Sequence, residues 1–165
     1  MPAGKFLRNM AGAITEVFGA TTGGAPDADK IPSLDASGKL AVAMLPTGVG
    51  PDTNVFTASE TLAAGDIVNI HAGGVRKADA TVVGKRANGF VLAGFASAAQ
   101  ATVYAEGTLT GLTALTLGSD VFLGTTPGTV TQIAPSAAGN IQQRLGVAVS
   151  TTSINFDAGA PITVV

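Results

Sequence analysis

The chain is 165 residues long, which leaves room for one domain and an appendage. Charged residues make up 12% of it against an apolar 46%; soluble domains carry roughly 25% charge, so protein partners are expected to cover much of the surface. A net charge of −2 argues against sequence-independent binding of phosphate backbones, and zero Cys excludes disulfides, thiol catalysis and the common zinc sites.

At the N-terminus, Lys5 and Arg8 precede the apolar stretch Met10 to Thr15, a pattern superficially like a secretory signal. Gly12 and Glu16 break the stretch after a few residues and argue against cleavage. Phe6, Met10, Ile14, Val17 and Phe18 fall at helical spacing. A short amphipathic helix fits this pattern, and so does an extended segment whose apolar residues dock singly on a neighbour; Gly4, Gly12 and Gly19 tilt the reading toward extended. Ala20 to Asp29 reads as linker, and Asp27-Ala-Asp29 lacks the other oxygen donors of a calcium loop.

Pro32 holds Ile31 extended, and Asp35-Ala-Ser-Gly38 is a turn in which Gly38 is free to take positive φ. Ser37-Gly-Lys39 fails as a phosphate loop, because Ser33 and Leu40 stand where Gly and Ser or Thr are required. Gly48-Val-Gly50 lacks the third glycine and the preceding strand of a dinucleotide site. Leu40, Val42 and Met44 alternate with alanines up to Leu45, and Pro46 ends a segment suited to adding to a sheet edge. Residues 1–52 thus read as an extended N-terminal arm, unable alone to offset its ordering entropy by burial. Its expected protein-interaction residues are Phe6, Leu7, Ile14, Val17, Ile31, Leu34, Leu40, Val42, Met44 and Leu45.

Residues 53–165 show a period of two with turn signals at close intervals. Strands are expected at Val55 to Leu62, Asp66 to His71, Val75 to Ala80, Gly89 to Ala96 and Ala101 to Glu106. Further strands are expected at Val121 to Gly124, Thr129 to Ile133, Gln143 to Ser150, Ser153 to Phe156 and Ile162 to Val165. Thr125-Thr-Pro-Gly128 and Ala72-Gly-Gly74 supply hairpin turns. The expected architecture is all-β, a small β-barrel or sandwich domain preceded by the arm. Its core is expected from Val68, Ile70, Phe90, Leu92, Val103, Val121, Leu123, Leu145, Val147, Val149, Ile154 and Phe156.

Reactive chemistry is sparse. His71, the single histidine, would need an orienting carboxylate and a nucleophile to act as a base, and reads as a surface or interface residue. Glu60, Asp66, Glu106, Asp120 and Asp157 form no spacing that favours a catalytic pair. Arg76-Lys77 and Lys85-Arg86 lack interleaved aromatics for stacking bases, so no nucleic-acid partner is expected. No apolar run approaches the ~18 residues of a membrane span. Neither a metal, a cofactor nor an enzymatic activity is expected.

Four stretches together resemble the capsid decoration, or cement, proteins of tailed bacteriophages. They are the arm (Leu7 to Val17, Lys30 to Leu40 and Met44 to Gly48), Leu62 to Ile70, Val75 to Ala80 running to Gly89 to Leu92, and Gln143 to Val149 with Ile154 to Phe156. The resemblance implies a virion protein, made in the host cytoplasm, that binds the outer surface of the head. It further implies a homotrimer whose partner is the major capsid protein and whose arm clamps neighbouring capsid subunits. A tail or fibre component contacting the host is the alternative role, and a cell-wall hydrolase the enzymatic one.

Overall fold

The computed structural model describes residues 4–46 and 49–165. Thr47 and Gly48, which end the Met44 to Gly48 stretch and begin Gly48-Val-Gly50, lie outside the described residues. The chain is all-β and divides into two compact units, Met1–Gly50 and Pro51–Val165.

In the first unit, β1 (Lys5–Met10) and β2 (Ala13–Phe18) form an antiparallel hairpin, so residues 6–18 are extended and no helix forms. Its two-residue turn has positive φ at both Ala11 and Gly12, the geometry that matches strand twist. The Asn9 side-chain oxygen accepts the Gly12 N–H and pins the turn. Beyond β2, Ala20 pairs with the segment around Pro32: Ala20 N–H donates to the Ile31 carbonyl, and Ser33 N–H to that of Ala20. Leu40 to Leu45 does not form the edge strand expected of it. Met44 and Leu45 donate back to Ala41 and Val42 in a 3-10 turn, Val42–Met44, which satisfies backbone groups locally where no partner strand lies alongside among the described residues.

The second unit stacks two five-stranded antiparallel sheets. The first has the order β3 (Thr53–Thr57), β7 (Gln100–Tyr104), β6 (Gly89–Phe90), β4 (Ile67–His71), β5 (Gly74–Lys77). The second has the order β10 (Val130–Thr131), β9 (Asp120–Leu123), β12 (Arg144–Ala148), β13 (Ser153–Asp157), β8 (Glu106–Thr110). A two-residue pair, β11 (Ile141–Gln142) with β14 (Ile162–Thr163), stands apart. The Ala72-Gly73 and Thr125–Gly128 turns join β4 to β5 and β9 to β10.

The main core lies between the sheets, with Ile67 and Phe90 from the first meeting Leu109, Val121, Leu123, Leu145, Ile154 and Phe156 from the second. Phe90 stacks on Tyr104 at 5.4 Å and meets Phe156 edge-on at 5.1 Å. Neighbouring residues of a strand face opposite ways, so Val68, Val75, Val91 and Val103 build a second, smaller core on the other face of the first sheet. Ala58, Leu62 and half-buried Phe56 and Phe95 cover it. The first sheet curls until Ser59 N–H donates to the Val75 carbonyl, but this single bridge does not close a barrel. The architecture is a sandwich.

Three expected core residues, Ile70, Leu92 and Val149, are exposed, and Val147 is half-buried. Ile70 shares a face with Val68 but sits nearer the Ala72-Gly73 turn, past the second core. Leu92 follows the end of β6, after Phe90 and Val91 have each filled a core. Val147 and Val149 are turned outward by a bulge between Arg144 and Gly146.

Candidate interaction surface

Gly19 N–H donates to the Gly4 carbonyl in the register of the β1–β2 ladder. Residues 4, 6, 8 and 10 therefore bond inward to β2, while the backbone groups of Lys5, Leu7 and Asn9 point away from it. One hairpin face carries Phe6, Arg8, Met10, Ala13, Thr15 and Val17. Phe6, Thr15 and Val17 are half-buried there, and the Arg8 guanidinium donates to the Asp29 carbonyl at 3.0 Å.

The opposite face carries Lys5, Leu7, Asn9, Ile14, Glu16 and Phe18. Leu7 is 73% exposed, Ile14 71% and Phe18 53%, with Leu7 diagonal to both. Its charges are spent on each other: Lys5 Nζ pairs with Glu16 at 2.9 Å and lies 5.1 Å from the Phe18 ring centroid. What remains is an apolar strip on a hydrogen-bonded ladder. Among the described residues no core lies within this unit, and Ala20 is its one buried residue.

Of the interaction residues expected from sequence, the structure places Leu7 and Ile14 on this strip and Phe6 and Val17 on the shielded face. Ile31, Leu34, Leu40 and Val42 are exposed one by one along the following segment. Met44 and Leu45 are half-buried, where the Val42–Met44 turn packs so closely on Gly23 that a side chain there would meet Met44. Phe18 belongs to the strip and was not among the expected residues.

Two carboxylates shape the rest of the unit. Asp27 accepts from Lys30 Nζ, Thr22 Oγ1 and Gly23 N–H at 2.8–3.0 Å; the Lys30 bond above all, then that of Thr22, holds its carboxyl below the usual value of 3.8. Asp35 accepts the backbone N–H groups of Lys39 and Ser37, which lower its carboxyl likewise.

The second unit brings His71 and Ser59 together at 2.8 Å. Gly73 N–H donates to His71 Nδ1 at 3.2 Å, so the neutral ring carries its proton on Nε2 and donates it to Ser59 Oγ. That polarity is opposite to a base withdrawing a proton from serine. Asp66 and Glu60 are engaged with Lys77, the first by a 3.2 Å ion pair and the second by its backbone N–H. Asp120 pairs with Arg144, and Arg76 donates to buried Asn69. Glu106 and Asp157 oppose each other across β8 and β13 beside a recess of about 440 Å³ that Asp52 and Arg86 also line. No group of three or more metal-ligating side chains forms among the described residues.

No protein-family model, curated protein or solved structure matches the chain.

Proposed function

We propose that the protein is a structural component of a tailed-phage virion, a decoration protein that binds the outside of the head. In this reading it strengthens the joints between major capsid subunits. The observation that supports it best is the first unit's apolar strip of Leu7, Ile14 and Phe18, which lies on a hydrogen-bonded hairpin in a unit that has no buried core among its described residues. An exposed apolar strip of this kind marks an interaction site.

The physical mechanism is added buried area. Each side chain of this size is worth roughly 1.5–3 kcal/mol when fully covered, less the cost of association. Exposed Ile31, Leu34, Leu40 and Val42 extend the contact along the chain. A stable interface covers about 1,600 Å², and repetition over a shell multiplies a modest single contact. The homotrimer implied by the resemblance would place three such strips around one point.

Immunogold labelling or electron cryomicroscopy of the native particle tests the location. Density on the head faces is expected; label confined to the tail tip would replace this reading with a tail or fibre role.

A further inference from the structure

We infer that the open edge of β8 is a two-fold pairing site for a second copy of this chain, joining two second sheets into one ten-stranded sheet. The inference goes beyond the decoration role and does not depend on it.

The backbone dictates which groups are open. Val149 N–H donates to the Ser153 carbonyl in the β12–β13 register, so the odd residues of β13 bond to β12. Its even residues, Ile154 and Phe156, therefore bond to Leu109 and Gly107 of β8. The N–H and C=O groups of Glu106, Thr108 and Thr110 point away from the sheet. None of these three residues makes another hydrogen bond among the described residues.

An antiparallel copy centred on Thr108 pairs every one of those groups. Thr108 meets Thr108 of the other copy, and Glu106 meets its Thr110. Centring on Gly107 or Leu109 would set Thr110 or Glu106 opposite a residue outside β8, so only the register centred on Thr108 pairs all three open residues. That register also suits the side chains, because each Glu106 faces a threonine rather than the other Glu106, and threonine pairs are favourable across strands. The edge carries no Lys or Pro, the residues that ordinarily block such pairing. At the rim of the first sheet, β3 is less open, since Gly74 of β5 crowds the Thr57 carbonyl and Ser59 bonds to Val75.

Five paired residues cover less than the roughly 1,200 Å² of a stable interface, so the contact is weak in dilute solution and is best read by covalent capture. Because the chain has no Cys, single cysteines report cleanly. Bonded antiparallel partners have Cα atoms about 5.5 Å apart, within disulfide reach. In a glutathione redox buffer, full-length Thr108→Cys should form a disulfide dimer at least tenfold faster than Thr110→Cys or Glu106→Cys alone. An equimolar mixture of the latter two should cross-link to each other at the Thr108→Cys rate. Equal rates for all single variants, or a mixture no faster than its parts, would overturn the inference. Circular dichroism of each variant confirms that exposed positions were changed without loss of fold.

Discussion

Leu145 and Ala148 are both buried in the main core although they stand three positions apart on one strand. In a regular strand they would face opposite ways. The bulge between Arg144 and Gly146 supplies the extra half-step, with Gly146 at φ 141°. A Cβ at Gly146 would collide with the Asn155 carbonyl on the neighbouring strand.

Gly146→Ala should therefore be among the most damaging single-methyl changes in the chain. The expected loss is about 2–4 kcal/mol, a fall in Tm of roughly 10 °C for a unit of this size. Thermal unfolding followed by circular dichroism measures it; a shift under about 2 °C would mean the bulge relaxes freely.

Gln143 is buried and bonds on all sides. Its Oε1 accepts the Ala87 N–H at 2.8 Å, and its Nε2 donates to the carbonyls of Ala87 at 3.0 Å and Gly159 at 2.9 Å. Gln143→Ala orphans three backbone groups and should lose about 2–4 kcal/mol in urea unfolding. Gln143→Glu presents a carboxylate to the same two carbonyls, so its deficit should be larger at pH 7 than at pH 4. A glutamate variant as stable as wild type at pH 7 would refute this account of the site.

The first unit should respond to acid late. Asp27 and Asp35 have folded-state carboxyls below their ordinary value of 3.8. Depressed carboxyls stabilise the fold above the ordinary value, and that contribution is lost as pH falls through the folded one. Amide signals of Gly23, Ser37 and Lys39 should thus hold steady from pH 7 to about 4 and shift only below it, in an NMR titration. Movement of these signals between pH 6 and 5 would contradict the hydrogen-bond assignment.

Trypsin should cut free protein after Lys30 and Lys39, which are exposed on a segment with no buried core among the described residues. Bound to particles, both sites should be protected severalfold. Equal cleavage rates in the two states, read by mass spectrometry, would show that this segment does not form the interface.

Most of the second unit was legible because its hairpins announce themselves. Pro127 and Gly128 turn β9 into β10, and Ala72-Gly73 turns β4 into β5. The β1–β2 hairpin was less visible, since Phe6, Met10, Ile14 and Phe18 also fit a helix and Ala11 is an unusual residue for positive φ. Asn9, three residues before Gly12, was the available signal. The strip of Leu7, Ile14 and Phe18 follows only once that turn is known, because the turn decides which residues share a face. The core phase of β12 was hidden for a similar reason: a bulge has no period, so Val147 and Val149 looked inward when Ala148 does the packing.

The central claim is that the hairpin strip is the gripping surface, and cosedimentation with purified heads lacking the protein tests it most directly. Wild-type protein should pellet with the heads to saturation, while Leu7→Asp/Ile14→Asp should lose at least tenfold in apparent affinity with an unchanged Tm for the β unit. Saturating binding by the double variant, or none by wild type, would contradict the account.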